Sequence, residues 1–391
     1  MDRSPAIARS LLAWFRAHAR DLPWRRTRDP YAIWVSEIML QQTTVTAVVP
    51  YFIRWMRELP TVTALAAAPL EKVLKLWEGL GYYRRARLLH QAAQLVVSQH
   101  AGRLPEQPAD WRELPGIGRY TAGAITSLAF NAPEPVLDGN VIRVLSRLEA
   151  LDDDIQLAST RDRLWELATY LVRVAARAKS PRPCGDLNEA LMELGATVCT
   201  PRQPACVSCP VHARCRAHAT GQVEQLPHRS APAAATRLRR TAWVFTHHDR
   251  FLVEQQTSPA HNAGLWQFPQ SDSDHDDPNA APCSPLPDQP VGPVEILGEI
   301  RHTITRYRIT LQVVHASVSQ PTAPPGTRWC TLSELRQLAM SRAHRRIVDR
   351  WLNASPSTRS SSHPARLSTR PARTANPKLK RRPSATRRKP S

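Results

Sequence analysis

Four cysteines crowd into 17 residues: Cys199, Cys206, Cys209 and Cys215, spaced C-x6-C-x2-C-x5-C. Few features restrict a chain more, because so short a loop bearing four thiols implies a shared ligand unless the thiols are unrelated packing residues. The start, MDRSPAIARSLLAWF, has no signal-peptide core, and Ile7, Leu11, Leu12 and Phe15 fall at the spacing of a first core helix. In an unexported protein, clustered thiols point to metal or iron-sulfur ligation over disulfides. Zinc sites usually pair two C-x2-C knuckles and only one is present, so four thiolates on one loop suit a cubane cluster better. Cys184, Cys283 and Cys330 stand apart as packing residues, and His212 and His218 as surface residues.

Residues 1–219 repeat apolar positions every three or four, as in Ala64–Leu76, Tyr83–Val97 and Arg161–Ala178, and read as an all-helical unit. Residues 220–240 are polar and rich in Pro and Ala, a linker composition. Beyond them the period becomes two, in TAWVF, RFLVEQQ and RYRITLQVVHASV, marking a mixed strand and helix domain over 241–353 closed by a helix near Arg342–Leu352. An acidic, Pro-rich stretch at 271–293 reads as an exposed insertion.

The net charge of +20 points to a polyanionic partner. It is unevenly spread: residues 354–391 carry eleven Lys or Arg and no Asp or Glu, which leaves +9 for the rest. That tail has too little apolar content to fold and reads as a disordered arm attracted to nucleic acid. No apolar run reaches the roughly 20 residues of a membrane span.

Three segments carry the candidate chemistry. In LPGIGRYTAGAI, Gly116 and Gly118 allow a tight turn between helices that aims amide groups outward, a fit for phosphate or an ordinary helix-helix turn. In VLDGNVIRVLSRL, Asp138 stands at a helix start, an N-cap position whose amides and dipole also favour its ionised form. In DPYAIWVSEIMLQQT, Asp29 and Pro30 start a helix over Tyr31–Thr43 in which Glu37 lies among Trp34, Ile38, Met39 and Leu40. Apolar surroundings there would raise its pKa, whereas a place at the helix edge would leave it solvated.

The cysteine spacing and the PGIG hairpin together resemble the endonuclease III superfamily of DNA glycosylases. WVSEIMLQQT, LPWR and GLGYYRRAR are similar to segments of its adenine DNA glycosylase (MutY) family. The resemblance covers nearly the whole helical half. It implies a helix-hairpin-helix glycosylase domain with a [4Fe-4S] cluster on Cys199, Cys206, Cys209 and Cys215. Protonated Glu37 would donate to adenine N7, while ionised Asp138 would stabilise the oxocarbenium-like sugar. Tyr120 and Asn140 would aid positioning. Arg25 and Glu189 would line the base pocket, as would Trp24 unless it packs in the core. Gln42 would fill the vacated stack, with Tyr82 inserting beside the lesion strand. Bifunctional relatives carry a Schiff-base lysine where this chain has Tyr120, so a monofunctional enzyme is expected.

AGLWQFP in the second half resembles a Nudix-like domain that recognises 8-oxoguanine, but the glutamate run that holds magnesium in Nudix hydrolases is absent. Recognition without hydrolysis is expected. Where the family has Phe-Ser-His, this chain has Ile304, Thr305 and Arg306, which predicts altered discrimination between 8-oxoguanine and guanine. The expected partner is double-stranded DNA with adenine opposite either base, bound by a cytoplasmic, nucleoid-associated bacterial monomer that has no membrane contact. A mismatch glycosylase acting on thymine opposite guanine and a non-catalytic cluster-bearing DNA-binding protein are the alternatives.

Overall fold

The computed structural model describes residues 3–231, 234–257, 262–272, 284–286 and 291–352. The basic tail, most of the acidic insertion and Cys283 lie outside them.

The first half is helical: α1 (Ser4–His18), α2 (Pro30–Leu40), α3 (Val45–Glu58), α4 (Val62–Ala67), α5 (Leu70–Trp77), α6 (Arg84–His100), α7 (Pro108–Glu113), α8 (Arg119–Phe130), α9 (Gly139–Glu149), α10 (Ala158–Ala175), α11 (Pro183–Thr197) and α12 (Arg216–Ala219). The periodic stretch 64–76 is two helices rather than one. It breaks at Ala68 and Pro69, where the ring of Pro69 removes an amide and restricts the residue before it. Helix α2 begins where expected, with the Asp29 carboxylate accepting from Tyr31 N at 3.0 Å, but it stops at Leu40 instead of Thr43.

These helices form two lobes. One core joins α2–α7 to one side of α8 around Trp34, Trp55, Trp77 and Trp111, each fully buried. The other packs α1 against α9, α10 and α11. Because α8 serves both cores (Ile125 on one side, Ala124 on the other), residues at its start lie where the lobes meet.

The second half contains β1 (Thr236–His247), β2 (Arg250–Gln255), β3 (Trp266–Gln267), β4 (Gln270–Asp272), β5 (Glu295–Ile304), β6 (Tyr307–Ser317), β7 (Thr327–Thr331), α13 (Leu332–Gln337) and α14 (Arg342–Ile347). Their sheet runs β3-β2-β1-β6-β5, with β4 on β1 and β7 on β2. The β1-β6 pair is parallel and the other pairs are antiparallel. The period of two is visible in β1, where Ala242 and Val244 face a core shared with α13 and α14 while Trp243 and Phe245 enter the opposite core. The closing helix passes from α14 into a π-helical turn over Val348–Leu352. Among the described residues no helix is long and apolar enough to cross a membrane.

The sheet half docks on the segment from Glu71 to Arg87. Leu265 and Ala339 join the first helical core. Arg345 pairs with Glu78 at 2.8 Å, Tyr83 Oη donates to Met340 O at 3.1 Å, and Arg87 donates to Ala263 O at 2.6 Å.

Candidate active site

A cleft of about 1800 Å³ opens between the helical lobes and the sheet half. Glu37 lies deep in it, 5 % exposed. It projects from α2, a helix buried along nearly its whole length, and accepts from Tyr120 Oη of α8 at 2.8 Å. Burial pushes the Glu37 pKa up to about 7; the Tyr120 hydrogen bond opposes this and the charges of Asp138 and Glu189 add to it. Of the two local readings, the buried Glu is the one the tertiary structure selects. The Tyr120 hydroxyl is held well above its ordinary range, first by burial and then by Glu37 and Asp138, so it stays a neutral donor.

Asp138 caps α9. It accepts from Val141 N at 2.7 Å and from Asn140 Nδ2 at 2.9 Å. Those bonds lower its pKa, as its cap position suggests, but burial outweighs them and the net displacement is upward. The cap acts as its position suggests, and desolvation is the larger effect. Asn140 is oriented in turn by Arg143, whose guanidinium donates to Asn140 Oδ1 (2.9 Å), Gly195 O (2.7 Å) and Cys199 O (2.7 Å). A chain of hydrogen bonds therefore links the cysteine loop to Asp138.

The pocket floor comes from α11. Glu189 pairs with Arg25 at 2.9 Å, and Arg25 also reaches Glu193 at 2.9 Å, which Arg20 holds from the other side at 2.6 Å. Burial raises Glu189; burial also pushes Glu193 up, but the hydrogen bonds and charges of Arg20 and Arg25 together prevail and hold it lower than usual. Glu193 has one sequence signal for this place, its i, i+4 spacing from Glu189 in NEALMELG, which sets both acids on one helix face. Trp24 satisfies both readings: it lines the cleft and packs edge-on against Phe52 at 5.4 Å.

Gln42, Tyr82, Gly116 and Thr305 also line the cleft; Gly118 and Arg306 do not. Gly116 has φ +81° and a Cβ there would meet Leu88 Cβ at 2.9 Å, so glycine is required. Gly118 differs from expectation. Its φ of −99° is open to any residue, and as N-cap of α8 it needs no special conformation. Thr305 tips the β5-β6 hairpin at φ +50°, rare for a β-branched residue, and Arg306 stacks on Tyr307 at 5.2 Å.

Cys199, Cys206, Cys209 and Cys215 are half-buried, on a loop of two 3-10 turns leading into α12. The Cys209 thiol is pushed up to about 11, first by burial and then by the other three cysteines. Among the described residues no three metal-binding side chains are gathered as a ready coordination shell. The donor set nonetheless suits a cluster in kind: four thiols share one loop, and the buried Arg147 donates to Cys199 Sγ at 3.3 Å. Thiolates need such donors and counter-charge.

Sequence comparisons agree with this architecture. Residues 35–169 match the HhH-GPD superfamily of base excision DNA repair proteins, and residues 240–350 match a NUDIX domain. The chain is 36 % identical to the adenine DNA glycosylase of Rattus norvegicus, over 88 % of this chain and 77 % of that protein. The figure is 35 % for that of Homo sapiens, over 90 % and 75 %. Among solved structures, a thermostable thymine-DNA glycosylase matches with 29 % identity and TM-score 0.49, over 56 % of this chain and 97 % of that one. Relatedness at this level along both halves, with a buried Glu and a capping Asp at the cleft, makes the chain a member of the adenine DNA glycosylase family of base excision repair enzymes.

Proposed function

We propose that the chain is a monofunctional glycosylase hydrolysing the N-glycosidic bond of adenine opposite 8-oxoguanine or guanine. The observation that carries this is Glu37, a buried acid with a pKa near 7 beside a second, capped carboxylate. Glu37 gives its proton to adenine N7, and the C1′–N9 bond breaks with its electron pair leaving on the base. Asp138 stabilises the cationic sugar through its charge, from the capped position at the start of α9. Water then adds to C1′ and gives up a proton to the Glu37 carboxylate, which restores the acid. Tyr120 orients Glu37, and Asn140 holds Asp138. The base lies against Arg25 and Glu189 after flipping, while Gln42 and Tyr82 occupy the opened stack. The amides at the start of α8, beyond Gly116 and Gly118, suit a phosphate. Tyr120 lacks the amine that an imine would need, which supports hydrolysis without strand cleavage.

Cys199, Cys206, Cys209 and Cys215 would hold a [4Fe-4S] cluster, which when bound cross-links the 199–215 loop by iron–thiolate bonds. The sheet half would read the lesion through the β5-β6 tip at Thr305 and Arg306. In an excision assay on duplexes with adenine opposite 8-oxoguanine, wild type should release adenine and Glu37→Gln should do so roughly 10²- to 10⁴-fold more slowly. No release by wild type, or an equally active variant, refutes the reading. For the cluster, zinc in place of iron and no broad visible absorption would be the refuting result.

A further inference from the structure

Gln42 and Tyr82 lie 40 positions apart, yet both adopt left-handed backbone conformations, φ 56° and 49°, which side chains other than glycine rarely take. Both are exposed, Tyr82 at 47 %. One residue grips the two loops. Arg85, in the first turn of α6, donates through Nη1 to Ile38 O (2.8 Å), Met39 O (2.9 Å) and Gln41 O. Ile38 and Met39 present carbonyls of the last turn of α2, which helix geometry leaves without partners, and Gln41 is its C-cap. Through Nη2 it donates to Thr43 Oγ1 (3.2 Å), Gly81 O (3.2 Å) and Leu80 O (3.5 Å). Its plane also lies over the rings of Trp77 and Tyr82, at 5.3 and 5.6 Å.

The partners bracket both candidate insertion residues: 41 and 43 around Gln42, and 80, 81 and the Tyr82 ring itself. No carboxylate pairs with Arg85 among the described residues. A half-buried cation spending its donors on carbonyls from two loops is costly to desolvate, and burial draws its pKa down to about 10. Only a planar fork can reach both loops at once; a lysine has three donors at one point.

We infer that Arg85 is a positioning residue that locks the Gln42 and Tyr82 loops into a single preformed wedge, so that both side chains enter the duplex together. This rests on the reading of Gln42 and Tyr82 as inserting residues. A prebuilt wedge spends no binding energy on ordering loops when the base leaves the stack.

The test compares single-turnover excision from two duplexes, one with adenine opposite 8-oxoguanine and one with adenine opposite an abasic-site analogue, where no pair has to be opened. Arg85→Lys should slow the first by roughly tenfold or more and the second by less than about threefold. Thr43→Val, which removes the Arg85 contact together with the long bond from Thr43 Oγ1 to Gln41 O (3.4 Å) and leaves the core undisturbed, should show the same preference at about two- to threefold, and it carries the test if Arg85→Lys does not fold. Equal slowing of both duplexes, tracking a lowered Tm, would show a purely structural role and overturn the inference. Gln42→Ala and Tyr82→Ala are the reference. If they do not favour the abasic duplex, the insertion reading falls and the wedge with it. If they do and the Arg85 and Thr43 variants do not, only the wedge fails.

Discussion

The Tyr120 hydroxyl donates to Glu37 Oε2 at 2.8 Å, a hydrogen bond that favours the charged form of an acid otherwise driven toward its neutral form by burial. Glu37 therefore holds its proton to about pH 7 when folded, against 4.5 for its ordinary value. The folded state binds the extra proton between those limits, so stability falls as pH rises from about 4.5 to 7 and stays reduced above. Glu37→Gln should remove that penalty. We expect a gain on the order of 3 kcal/mol at pH 8 and little change at pH 4, read by denaturant unfolding, together with a rate loss of roughly 10²- to 10⁴-fold. In Tyr120→Phe the alkaline limb of the pH profile of kcat/KM should move upward; a downward shift would contradict the role given to the hydroxyl.

Asp138 caps α9 as well as facing the cleft. Asparagine caps a helix about as well as aspartate, so Asp138→Asn should change stability by no more than about 0.5 kcal/mol, whereas Asp138→Ala should cost about 1 kcal/mol. Both should lose orders of magnitude in excision rate. If the asparagine variant kept its activity, the negative charge would have no part in the reaction.

Arg25 is the shared cation of two buried acids. Arg25→Met should destabilise by about 3 kcal/mol, because Glu189 and Glu193 are left with less compensation. Combining it with Glu189→Gln should recover part of that loss. An additive result in the double-mutant cycle would show that the Arg25–Glu189 pair carries no coupling.

Thr305 and Arg306 stand at the hairpin tip, far along the chain from the two carboxylates. Changing both to alanine should lower excision opposite 8-oxoguanine more than opposite guanine, by roughly tenfold in the ratio. Equal loss from both pairs would sink the assignment of lesion reading to this tip.

Deleting residues 354–391 removes eleven positive charges and no negative ones. The slope of log affinity against log salt should become shallower, with base preference unchanged. A truncated protein that lost its preference for the lesion pair would show that the tail reads more than phosphate charge.

Much of the site was legible because its signals are short-range. The cap at Asp29, the turn at Gly116 and the N-cap at Asp138 each depend on residues within a few positions of one another, and the four cysteines fall within 17. Amphipathic period and Pro-rich composition likewise separate a helical half from a strand-bearing one without reference to any distant contact.

Other features have no local signature. Whether Glu37 was solvated or buried depended on α8, α9 and α11 closing over it, and burial at that junction sets its pKa. The partners of Arg85 are mostly backbone carbonyls, groups every residue carries, so nothing in the sequence around 85 could single it out. The rise at Asp138 comes from the same packing, which overrides a cap that favours the anion. The order of residues determined which groups could act; desolvation and convergence of elements distant in sequence decided their protonation and their aim, because both depend on what lies within a few ångströms in space.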